Sequence, residues 1–158
     1  LDISLPDLSG IEVLKEIKRE WPDLPVLVFT IHSEEQYAIR ALRAGAAGYL
    51  CKSAPPREFL EAVLKVAAGG KYASPALAER LVTRLSTEHH ESPHELLSDR
   101  EYQVLCMIAS GKTVTEIAEE LSLSPKTIST YRLRILEKMH MKHSAELTRY
   151  AVERGLTA

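Results

Sequence analysis

The feature that most constrains the fold is a crowded series of helix-start signals in the last third of the sequence. Ser98 and Thr113 are each followed three residues later by a glutamate, which is the capping-box pattern. Ser124 stands before a proline, which suits the first position of a helix. A further helix is predicted from Ser144 to a stop at Gly155. Short helices with apolar residues at helical spacing predict a small, self-contained all-α domain of four helices over residues 96–158.

The helix that begins at Ser124 carries an unusual charge. From residue 125 to residue 142 there are five Lys or Arg and one acid, although the whole chain has a net charge of -2. The apolar positions, which predict the buried face, are Ile128, Tyr131, Ile135 and Met139. The opposite face carries Lys126, Ser129, Thr130, Leu133, Arg134 and Glu137. Such a face suits the major groove of double-stranded DNA, where Leu133 can touch a thymine methyl. An ordinary solvated helix face is the alternative.

A tight turn at Ser122 and Leu123 joins this basic helix to the one before it, which is typical of a helix-turn-helix. The stretch LLSDREYQVLCMIASGKTVTEIAEELSLSPKTISTYRLRILEKM resembles the LuxR-type DNA-binding domain of NarL/FixJ response regulators. The resemblance implies base contacts from Lys126, Ser129, Thr130 and Leu133, and phosphate contacts from Arg134 and Lys138. It also implies a homodimer paired through the last helix, here by Leu147, Tyr150, Ala151 and Val152. Arg132 lies near the buried edge of the helix, and an internal ion pair and a DNA contact both stay open for it.

Residues 1–71 alternate apolar runs with amphipathic segments, which is the order of an open parallel α/β sheet. Strands are expected at 1–5, 25–30 and 48–52, and helices at 10–20, 33–44 and 56–68. Functional groups of such sheets gather beyond the carboxyl ends of the strands, where this sequence has Asp2, Thr30 and Lys52. A carboxylate, a hydroxyl and an ammonium group can together hold a phosphoryl group. Three polar residues that merely face solvent are the alternative.

The segments DISLPDLSG, PVLVFT and GYLCKSAPPREFLEAV resemble the last three strands and helices of a response-regulator receiver, a flavodoxin-like domain. The resemblance implies that Asp2 accepts a phosphoryl group from a sensor histidine kinase. It makes Thr30 the switch hydroxyl, Tyr49 the switch aromatic residue and Lys52 the partner of the phosphoryl site. In the intact protein, Asp2 and the carbonyl of Ser4 would bind Mg²⁺.

Only the later part of a receiver is recognisable. No adjacent acidic pair precedes Asp2, and Glu34 and Glu35 are predicted to begin a helix rather than to bind metal. The chain is therefore interpreted as an N-terminally incomplete piece of a longer protein, with a part cut away or unseen as the alternative. Without the acidic pair, no cofactor is assigned to this chain, and it is expected to take no phosphoryl group at Asp2 from acetyl phosphate with Mg²⁺.

Residues 72–95 are predicted to join the two domains, with a helix at 76–85 and then a polar, flexible segment. The histidines of that segment, His89, His90 and His94, could bind a metal, but a solvated linker is the preferred interpretation. Cys51 and Cys106 lie in apolar surroundings, so both are expected to be reduced core residues. No apolar run is long enough to span a membrane, and a cytoplasmic location fits the reduced cysteines.

These features predict a sequence-specific transcription regulator that is controlled by phosphorylation and is not an enzyme. In the intact protein, phosphorylation would bias the receiver through Thr30 and Tyr49 and would free or pair the DNA-binding domains. Two alternatives remain. One is a protein-interaction module that pairs through residues 40–71 and leaves its DNA-binding domain idle. The other is an enzyme-like role in which the chain hydrolyses its own acyl phosphate.

Overall fold

A computed structural model describes residues 1–5, 8–86 and 92–157. The described residues form two compact units, one with residues 1–4 and 10–86 and the other with residues 5, 8, 9 and 92–157. His89 and His90 lie outside the described residues. No helix of the described part of the chain is long and apolar enough to cross a membrane.

The first unit is an α/β layer built on two parallel strands. Its elements are α1 (Gly10–Glu20), β1 (Leu27–Thr30), α2 (Glu34–Arg43), β2 (Gly48–Cys51), α3 (Pro56–Ala67) and α4 (Pro75–Ser86). The strands pair in register from Leu27 opposite Gly48 to Thr30 opposite Cys51. The parallel sheet and its helices confirm the predicted fold class of this part of the chain.

The strand predicted at residues 1–5 is reduced to a single pairing residue. Leu1 donates to the carbonyl of Leu27 at 2.9 Å and accepts from the amide of Phe29 at 2.8 Å, as a neighbouring parallel strand would. The amide of Ser4 instead donates to the carboxylate of Asp2 at 3.2 Å. This local side-chain bond competes with extended pairing, so the chain turns away from β1 after Leu1.

The two faces of the sheet are covered to different extents. Val28 and Thr30 are fully buried on one face, whereas Leu27 and Phe29 on the other face are only partly buried. Helix α3 packs on that second face through Ala62 and Val66, which contact a cluster with Leu50 and Tyr72. The remaining large apolar residues of α3 are exposed, namely Phe59, Leu60, Val63 and Leu64. The outer face of α3 is therefore apolar and not covered by the described residues.

The second unit consists of the 3-10 turn Pro93–Leu96 and the helices α5 (Asp99–Ala109), α6 (Val114–Glu120), α7 (Pro125–Lys138) and α8 (Ser144–Glu153). Each predicted start is confirmed: the capping boxes of Ser98 and Thr113 are closed, and Ser124 accepts the amide of Thr127 at 3.1 Å. The core is made of fully buried apolar side chains, among them Leu105, Ile117, Ile128, Ile135 and Leu147. Capping bonds of this kind satisfy amides that the helix itself cannot satisfy, which explains why the helices begin where the sequence predicts.

The turn between α6 and α7 is tight because Ser122 adopts a left-handed backbone conformation with φ of 53°. The amide of Leu123 donates back to the carbonyl of Ala118 at 2.8 Å, which closes the end of α6. Only Leu123 then separates this turn from the cap at Ser124. The helix-turn-helix arrangement of α6 and α7 follows directly from these local bonds.

Candidate functional sites

The carboxylate of Asp2 lies beside the other polar residues predicted for the first unit. The ammonium of Lys52 contacts Asp2 Oδ2 at 2.6 Å, and the amide of Ser4 donates to Oδ1. The hydroxyl of Thr30 is buried, and among the described residues it has no partner with hydrogen-bond geometry. It nevertheless lies close enough to Asp2 to lower the pKa of that carboxyl, so it can donate to an oxygen bound there. The structure thus brings together the predicted carboxylate, hydroxyl and ammonium groups.

The electrostatics of the site keep Asp2 ionised. Burial alone would raise the pKa of its carboxyl, but Lys52, the nearby hydroxyl of Thr30 and the amide of Ser4 together hold the pKa below its ordinary value. An ionised carboxylate retains the free electron pairs that a nucleophile needs. Asp2 can therefore act as an acceptor near neutral pH.

A glycine allows the start of α1 to approach Asp2 closely. A methyl group built on Gly10 would lie 2.0 Å from the carbonyl oxygen of Asp2, and neither backbone can give way easily. The amide of Gly10 also donates to the carbonyl of Ile3 at 2.9 Å. The position of the carboxylate therefore depends on a residue without a side chain at position 10.

Tyr49, the predicted switch aromatic residue, points into the unit and is fully buried. Its hydroxyl donates to the carbonyl of His32 at 3.0 Å and to that of Ser33 at 3.2 Å. Burial, more than any nearby charge, raises the pKa of this phenol far above its ordinary value. Tyr49 is thus a fixed neutral donor that holds the loop between β1 and α2.

The described residues do not form a complete magnesium site. No group of three or more His, Cys, Asp or Glu side chains in the described part of the chain could hold a metal ion. Asp2 is already paired with Lys52, and the predicted carbonyl ligand from Ser4 adds one oxygen. Mg²⁺ requires more oxygen ligands than these residues supply.

The basic face of α7 is presented as the sequence predicts. Lys126, Thr130 and Arg134 are exposed, Ser129 is half-buried, and the side chain of Leu133 is 62% exposed. An isolated exposed leucine is unremarkable by itself, but here it lies among hydroxyls and cations. This composition matches what a major groove offers to a helix.

Tyr131 departs from the prediction because it is only half-buried, whereas Ile128, Ile135 and Met139 are buried. It lines a cavity of about 320 Å³ on the flank of α7, together with Ser124, Lys126, Thr127, Thr130 and Arg134. Helical spacing places Tyr131 at the edge of the apolar face of α7. The polar hydroxyl of Tyr131 was the signal in the sequence that this side chain could lie nearer to solvent.

The predicted phosphate contact Lys138 has a partner within the second unit. Its ammonium lies 2.6 Å from a carboxylate oxygen of Glu101, whose side chain is 5% exposed. That oxygen also accepts the amide of Ser98 at 2.8 Å as part of the capping box of α5. Arg132, in contrast, forms no ion pair in the described part of the chain, and its Nε is buried without a partner. Among the described residues, this helix thus forms its internal ion pair through Lys138 rather than through Arg132.

The four residues of α8 that were predicted to form the homodimer contact have different environments. Leu147 and Ala151 are completely buried inside the unit, because they lie one turn apart on the face of α8 that packs on α5. The hydroxyl of Tyr150 lies 2.7 Å from Nδ1 of His94, which ties the 3-10 turn to α8. Val152 is 58% exposed. Leu147 and Ala151 are thus core residues of their own unit, and Val152 is the exposed member of the set, so the predicted pairing depends on Val152.

Sequence reasoning also missed two side chains at these sites. His32 Nε2 lies 2.8 Å from the hydroxyl of Ser4, close to Asp2. Glu101 was recognised only as a cap, although it also binds Lys138. The available signal for His32 was its position two residues after the strand that ends at Thr30. No local signal joins Glu101 to Lys138, because the two are far apart in sequence.

Comparisons with known proteins agree with the two units. Residues 1–64 match the family described as response regulator receiver domain. Residues 95–151 match the family described as bacterial regulatory proteins, luxR family. Response regulator UvrY of Escherichia coli is 38% identical over 157 residues, which cover 99% of this chain and 72% of that protein. Response regulator GacA of Pseudomonas protegens is 40% identical over 156 residues, covering 99% and 73%.

One solved structure is similar over most of the chain. It is RcsB from Salmonella enterica serovar Typhimurium, bound to promoter rprA in the presence of phosphomimetic BeF3-. The TM-score is 0.53 with 28% sequence identity, and the match covers 94% of this chain and 71% of that chain.

Proposed function

Since this chain belongs to the response regulators that join a receiver domain to a luxR-type domain, we propose that Asp2 is its phosphorylation site and α7 its DNA-reading helix. The chain is a DNA-binding response regulator of a two-component system. We assign residues 1–71 to the receiver, 72–95 to the linker and 96–158 to the DNA-binding domain. Its role is regulatory rather than enzymatic, and its place of action is the cytoplasm.

At the receiver, the ionised carboxylate of Asp2 accepts a phosphoryl group from a sensor histidine kinase in the intact protein. A carboxylate oxygen forms the bond to phosphorus as the bond between phosphorus and the donor nitrogen of the kinase breaks. Lys52 then moves its hydrogen bond from Asp2 to a phosphoryl oxygen, and the buried hydroxyl of Thr30 beside Asp2 donates to another. The described residues do not complete a magnesium site; Asp2 and the carbonyl of Ser4 are the groups that would hold the ion, which would neutralise charge on the phosphoryl oxygens.

The observation that carries the DNA-binding proposal is the exposed face of α7. Thr130 and Leu133 point away from the core, and Lys126 and Arg134 flank them. We assign base contacts to Lys126, Ser129, Thr130 and Leu133, and a phosphate contact to Arg134. Lys138 can reach a phosphate only by leaving Glu101, so its predicted role depends on that ion pair opening.

Pairing of two chains would place two copies of α7 on two half-sites. The exposed Val152 is the residue of α8 that we assign to this homodimer. The alternative of an interaction module with an idle DNA-binding domain is not favoured, because the luxR-type match spans the whole helix-turn-helix. The described geometry offers no feature that favours self-hydrolysis of an acyl phosphate over regulation.

Selection of duplexes from a random DNA library tests the proposal directly. Wild type should enrich a defined sequence and bind it more tightly than unrelated DNA, and Leu133→Ala should lose much of that preference. Glu153→Gln, on the exposed side of α8, is a matched control that should retain it. Failure of the folded wild type to enrich any sequence would overturn the assignment of α7.

A further inference from the structure

The helix that precedes the linker segment is attached to the receiver unit at one specific place. Helix α4 packs on α2, with Leu77 almost completely buried. The hydroxyl of Ser74 donates to Glu34 Oε2 at 2.6 Å and accepts the amide of Leu77 at 3.1 Å. Ser74 therefore caps the start of α4 and, through the same atom, joins α4 to the first turn of α2.

A second contact lies six residues, or nearly two helical turns, beyond Ser74 along α4. Arg80 and Glu35 form an ion pair with a nitrogen–oxygen distance of 2.9 Å. Both side chains are substantially exposed. The guanidinium and the carboxylate are close enough for an ion pair, but Nη1 of Arg80 does not meet hydrogen-bond geometry. Such a pair is weak by itself, but it acts beside the more buried bond from Ser74. Glu34 and Glu35 thus hold α4 at two points.

The two glutamates directly follow the loop that contacts the phosphoryl site. In that loop, Tyr49 holds the carbonyls of His32 and Ser33, and His32 contacts the hydroxyl of Ser4 near Asp2. Ser33 is the residue immediately before α2 and uses no side-chain cap of its own. A shift of the loop therefore moves the first turn of α2, where both glutamates lie.

We propose that Glu34 and Glu35 form an acidic clamp that fixes the linker helix α4 on α2, and that the β1–α2 loop held by Tyr49 determines whether the clamp closes. An open or closed clamp would make the position of the linker helix α4, which leads to the DNA-binding domain, depend on whether Asp2 is phosphorylated. That regulatory meaning rests on the proposed phosphorylation of Asp2. The clamp itself requires no phosphoryl group.

Amide hydrogen exchange of the 158-residue chain, measured by mass spectrometry at residues 76–83, tests the clamp. Glu34→Ala should speed exchange there about tenfold, because a hydrogen bond to a charged group is lost. Glu35→Arg should speed it about two- to fivefold, and Glu35→Arg with Arg80→Glu should restore the wild-type rate. Glu61→Ala, an exposed carboxylate on α3, is the matched control and should change nothing at α4.

The loop is tested by Tyr49→Phe, which keeps the buried ring and removes the hydroxyl. Exchange in α4 should again be faster, while the amides of α3 keep their wild-type rates. Wild-type rates in both Glu34→Ala and Glu35→Arg would overturn the clamp. Wild-type rates at α4 in Tyr49→Phe would overturn its control by the loop, whatever happens to the loop amides. Because no phosphoryl donor or DNA is present, these outcomes are separate from any failure of the proposed phosphorylation.

Discussion

Replacing Lys138 by methionine should destabilise the DNA-binding unit, because it removes the ammonium and keeps most of the aliphatic side chain. The carboxylate of Glu101, only 5% exposed, would retain its bond from the amide of Ser98 but lose its cationic partner. A hydrogen bond to a charged group contributes about 1.5–3 kcal/mol. The larger cost of breaking a fully buried pair does not apply, since the side chain of Lys138 is 41% exposed.

Amide exchange in α5 and α7 measures this loss within the unit concerned, and rates should rise about ten- to a hundredfold. Lys112→Met is the matched control, because Lys112 pairs with Glu120 at an exposed position and such pairs contribute about 1 kcal/mol or less. The proposed role of the Lys138–Glu101 pair would be refuted if Lys138→Met left the exchange rates unchanged and reduced the slope of log K for DNA binding against log salt by about 0.9. That result would return Lys138 to the predicted phosphate contact.

The same pair makes a prediction about pH. Burial alone would raise the pKa of Glu101, but Lys138 and Ser98 hold it below its ordinary value of 4.5. Because the folded state has the lower pKa, the stabilisation is present above pH 4.5 and is lost as the pH falls through the folded value. In thermal unfolding followed by circular dichroism, the helices of the wild-type second unit should therefore melt at a lower temperature at acid pH than at neutral pH. Lys138→Met should reduce this difference.

Four further predictions concern the sites. Thr130→Ala, Leu133→Ala and Lys126→Ala should each weaken binding to the selected DNA by about 1–3 kcal/mol in gel-shift titrations, with an unchanged circular dichroism spectrum; full binding by all three would contradict the groove assignment. Arg134→Ala should weaken specific and nonspecific binding alike and reduce the log K against log salt slope by about 0.9, and a constant slope with altered specificity would instead make Arg134 a base contact. Val152→Glu should weaken self-association in sedimentation equilibrium without unfolding, because it would bury an unpaired charge at the interface, whereas unchanged association would exclude Val152 from it. Incubation of this chain with acetyl phosphate and Mg²⁺ should add no phosphoryl mass, and a gain that disappears in Asp2→Ala would show that the site is complete.

The helix starts could be predicted because the bonds that fix them are local. Ser98, Thr113 and Ser124 each accept an amide three residues ahead, so residue type and spacing contain the required information. The grouping of Asp2, Thr30 and Lys52 was predictable for another reason. Parallel strands deliver their carboxyl ends to one edge of a sheet, so order along the chain determines position in space.

Contacts between distant residues were not predictable in the same way. Helical spacing identified the apolar side of α8, but it could not show whether Leu147 and Ala151 face their own domain or a second copy. The partner of Lys138 lies on another helix, and no pattern in either helix indicates it. The short pairing at Leu1 was missed because the carboxylate of Asp2 offers the amide of Ser4 a competing local acceptor.

The exposed apolar face of α3 has a practical consequence for handling the molecule. Phe59, Leu60, Val63 and Leu64 present a band of apolar surface on one short helix. Bands of this kind adhere to one another, and salts that are excluded from protein surfaces strengthen the attraction. Concentrated sulfate should therefore precipitate this chain early, and this salt-induced association through α3 should also occur in Val152→Glu. A solubilising change such as Leu64→Glu separates that colloidal attraction from specific pairing through α8.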